Sequence, residues 1–215
     1  MFACLQLAYH GFGDITVVIF FGAVATAGLK VVVGGGKQSS LPLLNLSMDP
    51  TPMYYDSDTI VAGTQIGLLC CVLLAINNIR DYYSDKMHNK NTLIVQFGLM
   101  FGKLEVLALI FGSFGLGWWY WYIQCNKLLP ALMPMAISSY IAFHVIQDIF
   151  LLIENDKNEM KEKWETEDDS AKIELKKKVM YGKTLAKSAL LHLIFSAALA
   201  IALSISCNSS SNATS

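Results

Sequence analysis

The chain has 215 residues, of which 54% are hydrophobic and only 15% charged, a balance that excludes an ordinary soluble domain. Its formal net charge is −1 and no basic face exists to release counterions from phosphates, so a nucleic-acid partner is excluded as well. Five cysteines, at 4, 70, 71, 125 and 207, fit neither a disulfide framework nor a zinc spacing and read as small hydrophobes.

In chain order, uncharged stretches approach the length of about 20 residues that a bilayer core demands of a helix. Spans are expected at 14–33, 59–79, 104–125, 128–149 and 185–206, with Lys30 snorkelling to the interface in the first. The fold class is therefore all-α: a polytopic transmembrane helix bundle of about five spans in one membrane domain. Met1 to His10 lacks the basic start of a cleavable signal peptide. Residues 34–59, with GGGK and three prolines, read as an irregular loop, 154–183 as a charged loop that is a solvated helix or a disordered excursion, and 207–215 as a polar tail. In this topology the 80–105 and 154–187 connections share one face of the membrane with the N-terminus. They carry 13 of the 16 Lys and Arg residues, which makes that face the cytoplasmic one or its equivalent. Three sequons, at Asn45, Asn208 and Asn212, fall on the opposite face, where a lumenal compartment would place them. The organelle or bacterial membrane is left open.

One stretch stands apart from the apolar background: Asn77-Asn78-Ile79-Arg80-Asp81-Tyr82-Tyr83-Ser84-Asp85-Lys86-Met87-His88-Asn89-Lys90-Asn91-Thr92-Leu93, where the second span leaves the membrane. Asn78, Asp81 and Asp85 are spaced to lie along one stripe of a helix, with Asn77 just beside it. Two carboxylates and an amide in line make an oxygen-rich site for a hard cation, and Mg2+ prefers one or two carboxylates, waters and phosphate oxygens. Arg80, Lys86 and Lys90 flank the acids, supplying the cations that a departing diphosphate needs, and Arg80 is the chain's single arginine. The plainer alternative is a surface ion-pair network at a helix end.

That stretch resembles the second aspartate-rich motif of the UbiA superfamily of intramembrane prenyltransferases, and within it the MenA type, written NNxRDxxxDxxxGKxTL. Asn77, Asn78, Arg80, Asp81, Asp85, Lys90, Thr92 and Leu93 match that motif, and Asn89 stands where the family has glycine. Asparagine is the commonest non-glycine visitor to the left-handed conformation, so the turn is expected to survive. Tyr9 to Gly28 is similar to the family segment in which a Gly-x-Gly-acid turn enters the fifth helix, and Thr184 to Ser196 to its last helix. The five spans would then be the C-terminal part of a nine-helix fold.

The resemblance implies Mg2+ held by Asp81, Asp85 and Asn78, a prenyl diphosphate bound with the help of Asn77 and Asn78, and Arg80, Lys86 and Lys90 acting on its leaving group. The acceptor would be aromatic, 1,4-dihydroxy-2-naphthoate by the MenA likeness, with 4-hydroxybenzoate, a homogentisate or a tetrapyrrole as alternatives. A non-catalytic membrane protein retaining one magnesium motif is the alternative from another class. The family pairs two such motifs, and the first lies upstream of the segment matched here, so the sequence reads as a partial gene product or as one that needs a second chain for the missing N-terminal half. Asp14, His144 and Asp148 are weaker substrate-binding candidates. Asp14 also suits a helix N-terminus, and His144 and Asp148, four apart, are expected to form a hydrogen-bonded pair.

Overall fold

The computed structural model describes residues 13–24, 57–162 and 170–212, and every regular element among them is helical. Residues 25–33 of the first expected span, the 34–56 segment with the Asn45 sequon, and the end of the polar tail lie outside the described residues. Helix α1 runs Gly13–Val17 and continues as a π-helix over Val18–Val24. Helix α2 is Ser57–Arg80, α3 is Tyr82–Met87 and α4 is Leu93–Phe97. Helix α5, Leu99–Gly117, widens into π-helical Trp118–Gln124, and α6 and α7 are Leu128–Glu162 and Ser170–Asn212.

Four segments are long and apolar enough to cross a membrane: Ser57–Arg80, Leu99–Gln124, Leu128–Asn155 and Val179–Ser206. In hydrocarbon a helix is the one open-ended backbone form that satisfies its own N–H and C=O groups, and α2, at 1.5 Å per residue, is about 36 Å long, enough for the bilayer core. Its ends suit its dipole, with Asp58 in the first turn and Arg80 in the last. The protein is thus an all-α, multi-pass membrane bundle. The span through α5 begins at Leu99 and takes in Lys103, which charge counting had assigned to the preceding loop. Helices α6 and α7 also run into the charged 154–183 segment, whose Lys, Glu and Ala are good helix formers; residues 163–169 between them are outside the described set.

Helix α2 is central, packing on α1, α5 and α7, while α6 lies along α7. Leu69, Val72, Ile76 and Ile79 of α2 share one buried cluster with Val106, Ile110 and Phe114 of α5 and Leu191, Phe195 and Leu199 of α7. Phe114 and Phe195 stack with centroids 5.8 Å apart. Many large side chains, among them Phe111, Tyr140 and Leu193, face outward, as lipid as solvent allows.

Lipid tails are as apolar as leucine, so burial alone cannot hold such helices together; close packing and hydrogen bonds must. Both are present on α2. Gly63 and Gly67, spaced four apart, receive Gly22 of α1 so closely that a Cβ on Gly67 would stand 2.9 Å from Gly22 Cα. On the side facing α5, Gln65 Nε2 donates to the Ser113 carbonyl at 3.1 Å, Ser113 Oγ donates to the Gln65 carbonyl at 3.1 Å, and Trp121 Nε1 donates to Gln65 Oε1 at 2.9 Å. Gly117 leaves the space for Gln65, since a Cβ there would collide with the Gln65 amide. The π-helical stretch supports this inward Trp121, which is fully buried, while Trp118, Trp119 and Tyr122 stay exposed as an interfacial belt. The aromatic cluster is therefore half belt and half interhelical lock.

Gln65→Leu removes the acceptor of the Trp121 Nε1–H and the side-chain donor to the Ser113 carbonyl inside the bundle, and is expected to cost roughly 2 kcal/mol. Gly67→Leu separates α1 from α2 and is expected to destabilise at least as much. Reversible unfolding in mixed micelles measures both.

Candidate functional site

The motif is built where α2 ends. Helical bonding continues across the exit, with the Asp81 N–H donating to the Asn77 carbonyl at 2.9 Å and the Asp85 N–H to the Asp81 carbonyl at 2.7 Å. Asp81 itself relaxes to φ −91°, ψ 5°, a one-residue joint between α2 and α3. Positions 78, 81 and 85 therefore keep near-helical spacing, and Asn78 and Asp85 are buried while Asp81 is half-buried.

Each acid is held by a cation from the same motif. The Arg80 guanidinium grips its neighbour Asp81 with both prongs, Nε to Oδ1 at 2.7 Å and Nη2 to Oδ2 at 2.8 Å. Lys90 Nζ donates to Asp85 Oδ2 at 2.9 Å. The second pair depends on a turn. The Lys90 N–H donates to the Asp85 carbonyl at 2.9 Å and the Asn89 N–H to the Lys86 carbonyl at 3.4 Å, the Schellman pattern at a helix C-terminus. That pattern needs a left-handed residue, and Asn89 supplies it at φ 53°. Asparagine does here what glycine does in the family motif, and by reversing the chain it returns Lys90 to Asp85. Thr92 then caps α4, its Oγ1 accepting from the Val95 N–H at 3.3 Å, and Gly98 at φ 88° turns the chain into α5.

The hydrogen bonds from Arg80 are the main reason the Asp81 carboxyl titrates below its ordinary range, with burial opposing and the Arg80 and Lys90 charges assisting. Lys86 and His88 are exposed, and Asn77 is half-buried. Asp14 lies in the first turn of α1, which packs on α2.

His144 and Asp148 do not form the expected pair. Asp148 instead accepts from Lys187 Nζ at 2.6 Å and Thr184 Oγ1 at 3.3 Å, clamping α6 to α7, because an ammonium outcompetes an imidazole four residues away. His144 packs edge-on against Tyr140 at 4.5 Å and Phe143 at 6.0 Å. Sequence reasoning missed Gln65, hidden in an uncharged run, and the individual role of Lys103, which is buried with its ammonium 4.7 Å from the Phe150 ring centroid.

Fold and site together define a polytopic helical membrane protein that presents two cation-paired carboxylates at a helix exit. Within that class the chain is similar to two curated bacterial proteins named 1,4-dihydroxy-2-naphthoate octaprenyltransferase. Identity to the protein of Escherichia coli (strain K12) is 34% over 105 residues, covering 49% of this chain and 28% of that one. Identity to the protein of Haemophilus influenzae (strain ATCC 51907 / DSM 11121 / KW20 / Rd) is 32% over 112 residues, covering 49% of this chain and 30% of that one. The match thus spans under a third of the length of these relatives, 28% and 30%, and across the 49% of this chain that it covers it supports the resemblance to the MenA type of the UbiA superfamily. No family model and no solved structure matches.

Arg80→Gln removes the fork from Asp81, and the Asp81 titration midpoint is expected to rise toward the unperturbed value of about 3.9. The sign for stability follows. The contribution of the wild-type pair is complete above that ordinary value and fades as pH falls through the lowered one. Carboxyl-resolved NMR titration of the two proteins checks it.

Proposed function

We propose that this chain belongs to a membrane-embedded, magnesium-dependent prenyltransferase that transfers an isoprenoid from a prenyl diphosphate to 1,4-dihydroxy-2-naphthoate, as its curated relatives are named to do with an octaprenyl chain. The observation that carries the reading is the exit motif, with Asp81 and Asp85 on neighbouring turns and a cation already attached to each.

The donor set fits a hard divalent ion. Asp81 and Asp85 supply carboxylate oxygens, and the buried Asn78 amide, with Asn77 beside it, adds neutral ones. Among the described residues no group of three His, Cys, Asp or Glu side chains gathers, and Mg2+ held by Asp81, Asp85 and Asn78 would take its further oxygens from waters and diphosphate, as that ion favours. Bound there, Mg2+ would neutralise the diphosphate and make it a better leaving group. Arg80 and Lys90, positioned by their acids, carry fixed positive charge to the same place, and exposed Lys86 adds to it. In the reaction the bond from the allylic carbon to the diphosphate breaks, that carbon bonds to the acceptor ring, and the ring carboxylate leaves as carbon dioxide. A facing acidic motif, upstream in the same protein or on a second chain, completes the diphosphate site in this reading. Asp148 is assigned to the α6–α7 clamp and not to substrate.

The purified chain is expected to bind Mg2+ together with geranyl diphosphate, and Asp85→Asn to lose that joint binding in calorimetry. In membranes supporting transfer of labelled prenyl groups, Asp81→Asn is expected to lower turnover by roughly 100-fold. Full turnover by Asp81→Ala would remove the motif from the mechanism.

A further inference from the structure

Lys103 is on α5 beside Gly102, which approaches α2 so closely that an added Cβ would stand 2.8 Å from Ile79 Cγ1. This places Lys103 near the depth of Ile79 and Arg80, at the motif's end of the bundle. Its residue exposure is 7%, and its ammonium lies over the Phe150 ring of α6, 4.7 Å from the centroid. Among the described residues no carboxylate pairs with it. Arg80, Lys90, Lys127 and Lys187, in contrast, each have an acid oxygen within 3.2 Å. Asp148, two residues from Phe150, is already held by Lys187 and Thr184. Glu105, two residues along α5, projects from another face of the helix, since such positions are roughly 200° apart.

One aromatic face satisfies an ammonium only in part, so a lysine on a largely buried stem whose charge meets a lone ring keeps capacity for an anion. Phe150 limits which anion. It is 42% exposed, so the protein leaves part of the side chain uncovered. A diphosphate has the motif's own cations and nothing to place on a phenyl ring. An aromatic acid uses both groups.

We infer that Lys103 and Phe150 form the seat of an aromatic carboxylate substrate, Lys103 Nζ taking the carboxylate and Phe150 the ring. The inference rests on the prenyltransferase reading and deepens it, because the seat is on the α5–α6 seam, apart from the diphosphate motif on α2 and α3. It holds the acceptor by the carboxylate that the reaction later expels.

The test uses the purified chain in neutral detergent with two fluorescent probes, 1-hydroxy-2-naphthoate and 1-naphthol, which lacks the carboxylate. Wild type is expected to prefer the acid. Lys103→Met is expected to weaken the acid about tenfold or more and leave 1-naphthol unchanged, which also reports that the variant is folded. Lys103→Arg should keep the preference and Phe150→Ala should weaken both probes. Asp85→Asn should lose joint binding of Mg2+ and geranyl diphosphate while the preference for the acid persists, so failure of the motif and failure of the seat are read separately. The inference is overturned if wild type shows no preference, if Lys103→Met retains it, or if Lys103→Met weakens geranyl diphosphate and spares the naphthoate.

Discussion

A bilayer core offers no hydrogen bonds, and that constraint places nearly every polar side chain described here. Gln65, inside the bundle, has its polar atoms met by Ser113 and Trp121. The charged ones gather where the helices reach the interface. Asp58 takes Tyr120 and Lys127 at one end, and Asp81, Asp85 and Asp148 take their cations at the other. With no hydrophobic drive between helices in lipid, the glycine contact between α1 and α2 and the Gln65 lock between α2 and α5 do the joining that a soluble core would do by burial. Helix α2, gripped on both sides, holds the motif at its end in a fixed position.

The same arrangement places two acid–cation pairs side by side in the motif. Neither Asp81 nor Asp85 waits as a bare carboxylate beside the membrane; each already has a cation. In the proposed function, a metal arriving with a diphosphate would meet oxygen donors and cations in one unit, with little new charge to bury. The geometry is local. It depends on a joint at Asp81 and a left-handed turn at Asn89, both set by residues within the motif.

That locality explains why the motif was legible from the residues alone. Helical spacing put the acids in register, and asparagine's tolerance of positive φ allowed the turn despite the absent glycine. Helical membrane architecture was equally legible, because length and apolarity suffice for it. Long-range pairing was not. Asp148 looked like a partner for His144 at four residues' distance, but its ammonium comes from Lys187 on the next helix. Lys103 counted as one more loop charge, and nothing in its neighbours along the chain announces the ring of Phe150.

By itself, then, the sequence determined that the chain is a bundle of apolar helices with an acid–cation motif at one exit, since those properties depend on residues a few positions apart. Only the tertiary structure decided which polar groups meet across helices: Gln65 with Trp121, Asp148 with Lys187, Lys103 with Phe150. The physical reason is that a helix sets the neighbours of a side chain along its own axis, whereas the angle and depth at which two helices pack set the rest.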